Sequence, residues 1–172
     1  EIGSGLVGSE MCIRDRRRIL MSIAENVAEI RRQMEVAALA AGRDPKEILL
    51  CAATKMNDAD AVRQAIAAGV DCCGENRVQE LTAKLAQNAY DGAPVHFIGH
   101  LQTNKVRQVV GKVSLIQSVD SERLLAAIDR EAARQGIVQD ILLEVNIGEE
   151  ASKSGFAAED IPVSYTHLTL PT

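Results

Sequence analysis

Aromatic side chains are almost missing. The 172 residues hold two Phe, two Tyr and no Trp. Proteins that grip single-stranded nucleic acid stack bases on aromatic platforms, so that class is excluded. A surplus of positive charge is missing too. The formal net charge is −5, whereas a nucleic-acid binder carries a basic face. No run of 18 apolar residues occurs, which leaves no transmembrane helix. Neither nucleic acid nor a membrane is therefore expected as a partner. No GxGxxG or GxxxxGK[ST] turn follows any candidate strand, so the nucleotide folds lose their best evidence. Cysteine is sparse: Cys12, Cys51, Cys72 and Cys73, with no CxxC pair. Adjacent Cys72 and Cys73 cannot easily bond each other. Neither a zinc site, nor any other metal, nor a disulfide framework is expected. The thiols read as buried side chains in a reducing cytoplasm.

What the chain does have is aliphatic. Hydrophobic residues make up 47% and charged residues 25%, the balance of a soluble globular protein of one to one-and-a-half domains. Its core must be built from Ala, Val, Ile and Leu. The ends differ from the rest. Glu1–Arg16 has no sustained period, and Val163–Thr172 is equally out of character. Both resemble translated sequencing-library adapter. The four arginines Arg14, Arg16, Arg17 and Arg18 are not followed by a long apolar stretch, so a signal peptide does not explain the first segment. The expected division is a non-native leader over 1–20, a partial domain over 21–162 and a non-native tail over 163–172.

Between the ends the pattern is regular. Ser22-Ile-Ala-Glu25 reads as a capping box. Ile23, Val27, Ile30, Met34 and Ala38 then form a helical stripe that Gly42 stops. Glu47–Thr54 is a short apolar run that suits a strand buried on both faces. Asp58 caps a helix over Ala59–Ala68. Val70–Cys73, Val95–Ile98, Leu115–Gln117 and Ile141–Val145 read as further strands. Helices over Val78–Asn88, Gln102–Val110 and from Ser121 to Gln135 separate them. One strand begins every 20 to 26 residues. Such alternation implies a parallel sheet with right-handed crossovers. Two architectures fit: an open doubly wound sheet, or a (β/α)₈ barrel cut after strand five. Polar clusters sit at the strands' C-terminal ends, the functional face of both.

Lys55 ends the first strand, where partial desolvation would lower its pKa and favour attack on an aldehyde. It can equally be a lysine reaching back to solvent. Asn76, after Gly74-Glu75, can bind a ligand or cap the next helix. His96 and His100 flank Phe97-Ile98-Gly99. A metal there would need a third ligand, and none is obvious. Asn146 and Ser152-Lys153-Ser154-Gly155-Phe156 follow the fifth strand. Their loop can bind an anion through its backbone donors or serve only as a connection.

The order of these signals is more specific than any one of them. A lysine follows the first strand, GENxxQE the second, HFIGHLQTNK the third, Ser118-Val-Asp120-Ser121 the fourth and SKSGF the fifth. Over Met21 to Phe156 this resembles the pyridoxal-phosphate homeostasis protein family. The resemblance implies a (β/α)₈ TIM barrel like the N-terminal domain of alanine racemase, here truncated after about five strands. It implies pyridoxal 5′-phosphate as cofactor, held as a Schiff base on Lys55. Asn76 and His96 would lie near it, with Asn146, Lys153 and Ser154 as further candidates. The family usually has Ser-Lys-Thr-Lys-Pro where this chain has Thr54-Lys55-Met56-Asn57-Asp58, so its loop departs while its lysine is kept. The resemblance implies a protein that binds the cofactor without turnover, and a monomer is expected at full length; a cytoplasmic location is expected from the lack of a signal and of disulfide patterning. A fragment of an alanine racemase-like enzyme is the alternative. Five strands cannot close an eight-stranded barrel, so an exposed sheet edge and weak cofactor retention are expected.

Overall fold

The computed structural model describes residues 22–148 and 154–158. Helix α1 spans Ile23–Ala40, and its start is the capping box read from the sequence. The Ser22 hydroxyl accepts from the Glu25 N–H, and the Glu25 carboxylate accepts from the Ser22 N–H. Five strands follow, with an α-helix after the first, second and fourth and a 3₁₀ helix after the third. Strand β1 is Cys51–Ala53, helix α2 Ala59–Ala67, β2 Cys72–Glu75 and α3 Val78–Ala86. Strand β3 is Val95–Phe97, β4 Leu115–Val119, α4 Glu122–Gln135 and β5 Asp140–Leu143. Asp58 and Ser121 cap α2 and α4 through their side chains, and Gly136 ends α4 in the left-handed region.

Three elements differ most from their sequence reading. The first strand is shorter than Glu47–Thr54. Asp44 caps a 3₁₀ turn over Pro45–Glu47, and the Leu50 N–H is taken by the Asp71 carboxylate, so the sheet ladder starts at Cys51. The second strand starts later than Val70, because the Val70 N–H still bonds Ala65 in the turn after α2. The expected helix over Gln102–Val110 is a 3₁₀ helix over Thr103–Gln108. Val106 and Val109 are both buried, and a spacing of three places them on one face of a 3₁₀ turn.

The sheet is wholly parallel, in the order β1-β2-β3-β4-β5. That order decides between the two architectures. A doubly wound sheet reverses direction at a switch point, whereas a barrel wall adds each strand beside the last. The strands alternate faces. Cys73, Glu75, Val95, Phe97 and Ile116 are buried on the helix-covered side, and a register shift between Ile116 and Val119 brings Val119 to that side as well. The other side carries Cys51, Ala53, Cys72, Gly74, His96, Leu115 and Gln117, brought level by the register. It is covered less evenly: Cys72 is buried, His96 and Gln117 half-buried, and Cys51 and Ala53 exposed. The core is mostly aliphatic, and Phe97 is its largest fully buried side chain.

Candidate functional site at the strand termini

The polar clusters converge at the C-terminal ends of the strands, where each motif ties one unit to the next. After β1 the chain turns through Thr54–Asn57, with Met56 at φ +61°. This turn is held from several sides. The Thr54 N–H bonds the Gly74 carbonyl at 2.9 Å, and the Thr54 hydroxyl donates to the Glu75 carboxylate. Lys84 Nζ donates to the Thr54 carbonyl at 2.6 Å. The Met56 N–H donates to Glu80 Oε2 at 2.8 Å, and Asn57 Nδ2 to the Lys55 carbonyl at 3.1 Å. The Lys55 backbone is thus fixed while its side chain is exposed. The partial desolvation expected for Lys55 is absent, because the strand ends at Ala53 and the turn carries residue 55 out past the sheet rim.

Glu75 and Lys84 are the anchors behind that turn. Glu75 is fully buried on the helix side, and its Oε1 accepts from Lys84 Nζ at 2.6 Å and from the Tyr90 hydroxyl at 3.1 Å. Burial and the Glu75 charge push the Tyr90 phenol up, so it stays a donor. Sequence reasoning missed Lys84. The available signal was a lysine on the same helical stripe as Val78, Leu81 and Leu85, nine residues after a glutamate in a buried strand. Such a charge pair is buried only when its members find each other.

Asn76 follows Glu75. Its Oδ1 is buried and has no hydrogen-bond partner among the described residues, a state that costs free energy unless a donor arrives. Gly99 presses against it, since a Cβ there would lie 2.6 Å from Asn76 Cα. The Ser118 hydroxyl donates to the Gly99 carbonyl. Asp120 Oδ2 lies 3.0 Å from His100 Nδ1. At the fifth unit, the Asn146 N–H bonds the Phe156 carbonyl at 3.0 Å and the Phe156 N–H bonds the Glu144 carbonyl at 2.8 Å. Gly155, at φ +124°, again allows a close approach, with its missing Cβ 2.7 Å from Asn146 N. Ser154 is exposed. Lys153 lies outside the described residues.

His96 does not sit at the strand ends with Lys55 and Asn76. It is inside β3, level with Gly74 and Ala53, on the open face. Its Nδ1 lies 2.9 Å from Gln117 Nε2 and 3.7 Å from Cys72 Sγ. Burial lowers its pKa, which favours the neutral imidazole. Burial and the neighbouring Cys51 push the Cys72 thiol up to about 12. A hollow of about 400 Å³ among Arg107, Arg123, Arg130 and Arg134 includes none of Lys55, Asn76 and His96.

The arrangement offers a mounted, accessible amine, a buried acceptor without a partner among the described residues at the end of the neighbouring strand, and an imidazole lower on the same sheet whose burial favours its neutral form. Residues 20–171 match the family model described as alanine racemase, N-terminal domain. The pyridoxal phosphate homeostasis protein of Pseudomonas aeruginosa is 39% identical over 143 residues, which are 83% of this chain and 62% of that protein. The protein of the same name from Aquifex aeolicus is 36% identical over 152 residues, 88% of this chain and 67% of that one. Among solved structures, PipY of Synechococcus elongatus with pyridoxal phosphate bound superposes with a TM-score of 0.71 at 34% identity, covering 86% of this chain and 64% of PipY. An unknown protein from Bifidobacterium adolescentis superposes with a TM-score of 0.75 at 38% identity, covering 83% of this chain and 62% of that one. The chain therefore spans about three fifths of the length of several of these relatives.

Proposed function

The chain belongs to the alanine racemase N-terminal domain family, and from that premise we propose that it binds pyridoxal 5′-phosphate at the strand termini, with Lys55 as the point of attachment. The observation that carries this reading is the turn Thr54–Asn57. Three side chains, Lys84, Glu80 and Asn57, hold its backbone and Glu75 takes the Thr54 hydroxyl, while the Lys55 amine is left free to reach a ligand. The cofactor supplies an aldehyde with which a neutral amine can condense, and a ring that withdraws electrons. The chain supplies the rest. Lys84 and Glu80 keep the amine's backbone in place. The Asn76 Oδ1 acceptor, unpartnered among the described residues, takes a donor from the bound molecule. His96, neutral, faces the same side without adding charge. Asn146, Ser154 and Lys153 complete the proposed set from the fifth unit.

The role we propose is that of a binder that keeps this cofactor in balance, not of an enzyme with turnover. Its support is the name shared by relatives at 34–39% identity. We also read the full-length protein as a cytoplasmic monomer. Among the described residues no helix is long and apolar enough to cross a membrane.

A trapping experiment tests the site. The chain is incubated with pyridoxal 5′-phosphate, reduced with borohydride and mapped by mass spectrometry, with circular dichroism on the same sample. One adduct on Lys55, lost in Lys55→Ala, is the expected result. Scattered labelling of a folded chain would overturn the assignment. Racemisation of alanine by the loaded full-length protein, beyond that of free cofactor and abolished by Lys55→Ala, would overturn the binding role.

A further inference from the structure

Below the rim, on the same open face, three strands bring together side chains that no sequence spacing connects. Cys51 of β1 and Cys72 of β2 are register partners, and His96 of β3 lies diagonally above Cys72. One donor atom from each falls within 4.8 Å of the other two. We propose that Cys51, Cys72 and His96 form a binding site for a thiolate-preferring cation, specifically Zn²⁺.

The chemistry of the donors selects the metal. Two thiolates and an imidazole suit zinc, whereas carboxylate and carbonyl oxygens suit magnesium and calcium. The geometry fits as well. Tetrahedral zinc, with Zn–S near 2.3 Å and Zn–N near 2.0 Å, sets its sulfur and nitrogen ligands roughly 3.5 Å apart. Cys72 Sγ and His96 Nδ1 already stand 3.7 Å apart. The other two separations, neither above 4.8 Å, need to close by little more than about an ångström at most.

The surroundings leave room. A Cβ on Gly74 would lie 3.3 Å from Cys51 Sγ, so this glycine keeps clear the wall beside the first ligand. Gln117 Nε2, 2.9 Å from His96 Nδ1, holds the ring now and yields that nitrogen to the metal or turns to support the ring from outside. On binding, each thiol gives its proton to solvent, so a Zn²⁺ ion replaces two protons and no electron moves. Three protein ligands leave one coordination position open. That is the ligand count of a reactive or exchangeable zinc site, in contrast to the closed four-ligand sets of structural sites.

This expectation reverses the one drawn from the sequence, in which no third ligand for His96 was evident. Cys51, Cys72 and His96 are separated by 21 and 24 residues. Those are β/α repeat lengths, not the short spacings of zinc motifs, and only the parallel register turns them into neighbours.

The test titrates the reduced chain with Co²⁺, a coloured substitute for Zn²⁺. We expect thiolate-to-cobalt charge-transfer bands that saturate at one equivalent and are displaced by Zn²⁺. Cys51→Ser should abolish them. His96→Ala should weaken binding at least about tenfold, the lower end of what even an outer-shell partner costs. Cys73→Ala should keep them, because Cys73 faces the helices. Exposed Cys51 bears little packing, so its serine variant keeps the far-ultraviolet spectrum of the parent and remains decisive even if His96→Ala unfolds. Zn²⁺ should also raise the melting temperature of the parent chain and not that of Cys51→Ser. Bands that survive Cys51→Ser, or that appear only in large excess of Co²⁺, would overturn the site.

Discussion

At the residue scale, the roles divide between groups that present chemistry and groups that hold them still. Lys55, Asn76 and Cys51 are accessible or unpartnered, while Glu75, Lys84 and Gly99 are buried or pressed between backbones. The holding residues make the sharper predictions. Lys84→Met removes the partner of a fully buried carboxylate and the donor to the Thr54 carbonyl. Breaking a buried pair on one side costs about 3–5 kcal/mol. The double variant Glu75→Gln/Lys84→Met leaves no orphaned charge and keeps an acceptor for Thr54 and Tyr90. It should be the more stable of the two in urea unfolding. A double variant less stable than Lys84→Met would show that the pair's charge is not what matters. Gly99→Ala drives a methyl into the Asn76 backbone. We expect a loss of about 1–3 kcal/mol, typical of overpacking, together with weaker cofactor retention than a core variant of equal stability. Equal retention at equal stability would mean that Asn76 is not part of the binding surface.

At the scale of elements, the caps were legible and the strand limits were not. Ser22, Asp58 and Ser121 act locally: each side-chain oxygen accepts from a backbone N–H three residues on, so the sequence alone carries the information. Strand limits depend on partners far along the chain. The first strand loses its opening residues because Asp71, some twenty residues later, takes the Leu50 N–H. The stripe on α1 is likewise only partly used. Val27 and Ala38 are buried, while Ile30 is 45% exposed, since the helix packs chiefly against α2 and the turn before β1. The candidate site shows the same divide. Lys55 and Asn76 stand at strand ends that alternation marks out, whereas the Glu75–Lys84 anchor and the Cys51–Cys72–His96 group exist only through tertiary contact. The capping box lends itself to measurement. Ser22→Ala should cost about 1 kcal/mol, and Glu25→Ala should remove the reciprocal half of the same box. Their double variant should cost less than the sum of the singles, as coupled partners do. Additive losses would mean that the two hydrogen bonds act separately.

At the scale of the whole molecule, the sequential strand order makes the sheet a wall with helices on one side and a less evenly covered face on the other. α1 precedes this wall in sequence and belongs to none of its β/α units, so its attachment must come from side chains. Arg31 supplies it. Its guanidinium donates to the Gly69 carbonyl and to Asp71, while the Asp71 carboxylate also accepts from the Leu50 N–H. One carboxylate therefore joins α1, the start of β1 and the approach to β2. Its partial burial works to raise the pKa, but the Leu50 N–H and Arg31 together outweigh that and hold it below 3.8. A carboxyl depressed in the folded state adds stability that is complete above its unfolded pKa and fades as pH falls through its folded value. Asp71→Asn should therefore be less stable than the parent at pH 7. The gap should narrow below about pH 4, where the carboxyl of the unfolded chain begins to take up its proton, and should close as pH falls further through the lower folded value. Urea midpoints at pH 7 and pH 3 measure this directly. Both groups are about one-third exposed, so salt should shrink the gap at pH 7 as well. A gap that stays constant across pH and salt would assign the cost to lost packing at the α1 junction instead of to the charge that joins it.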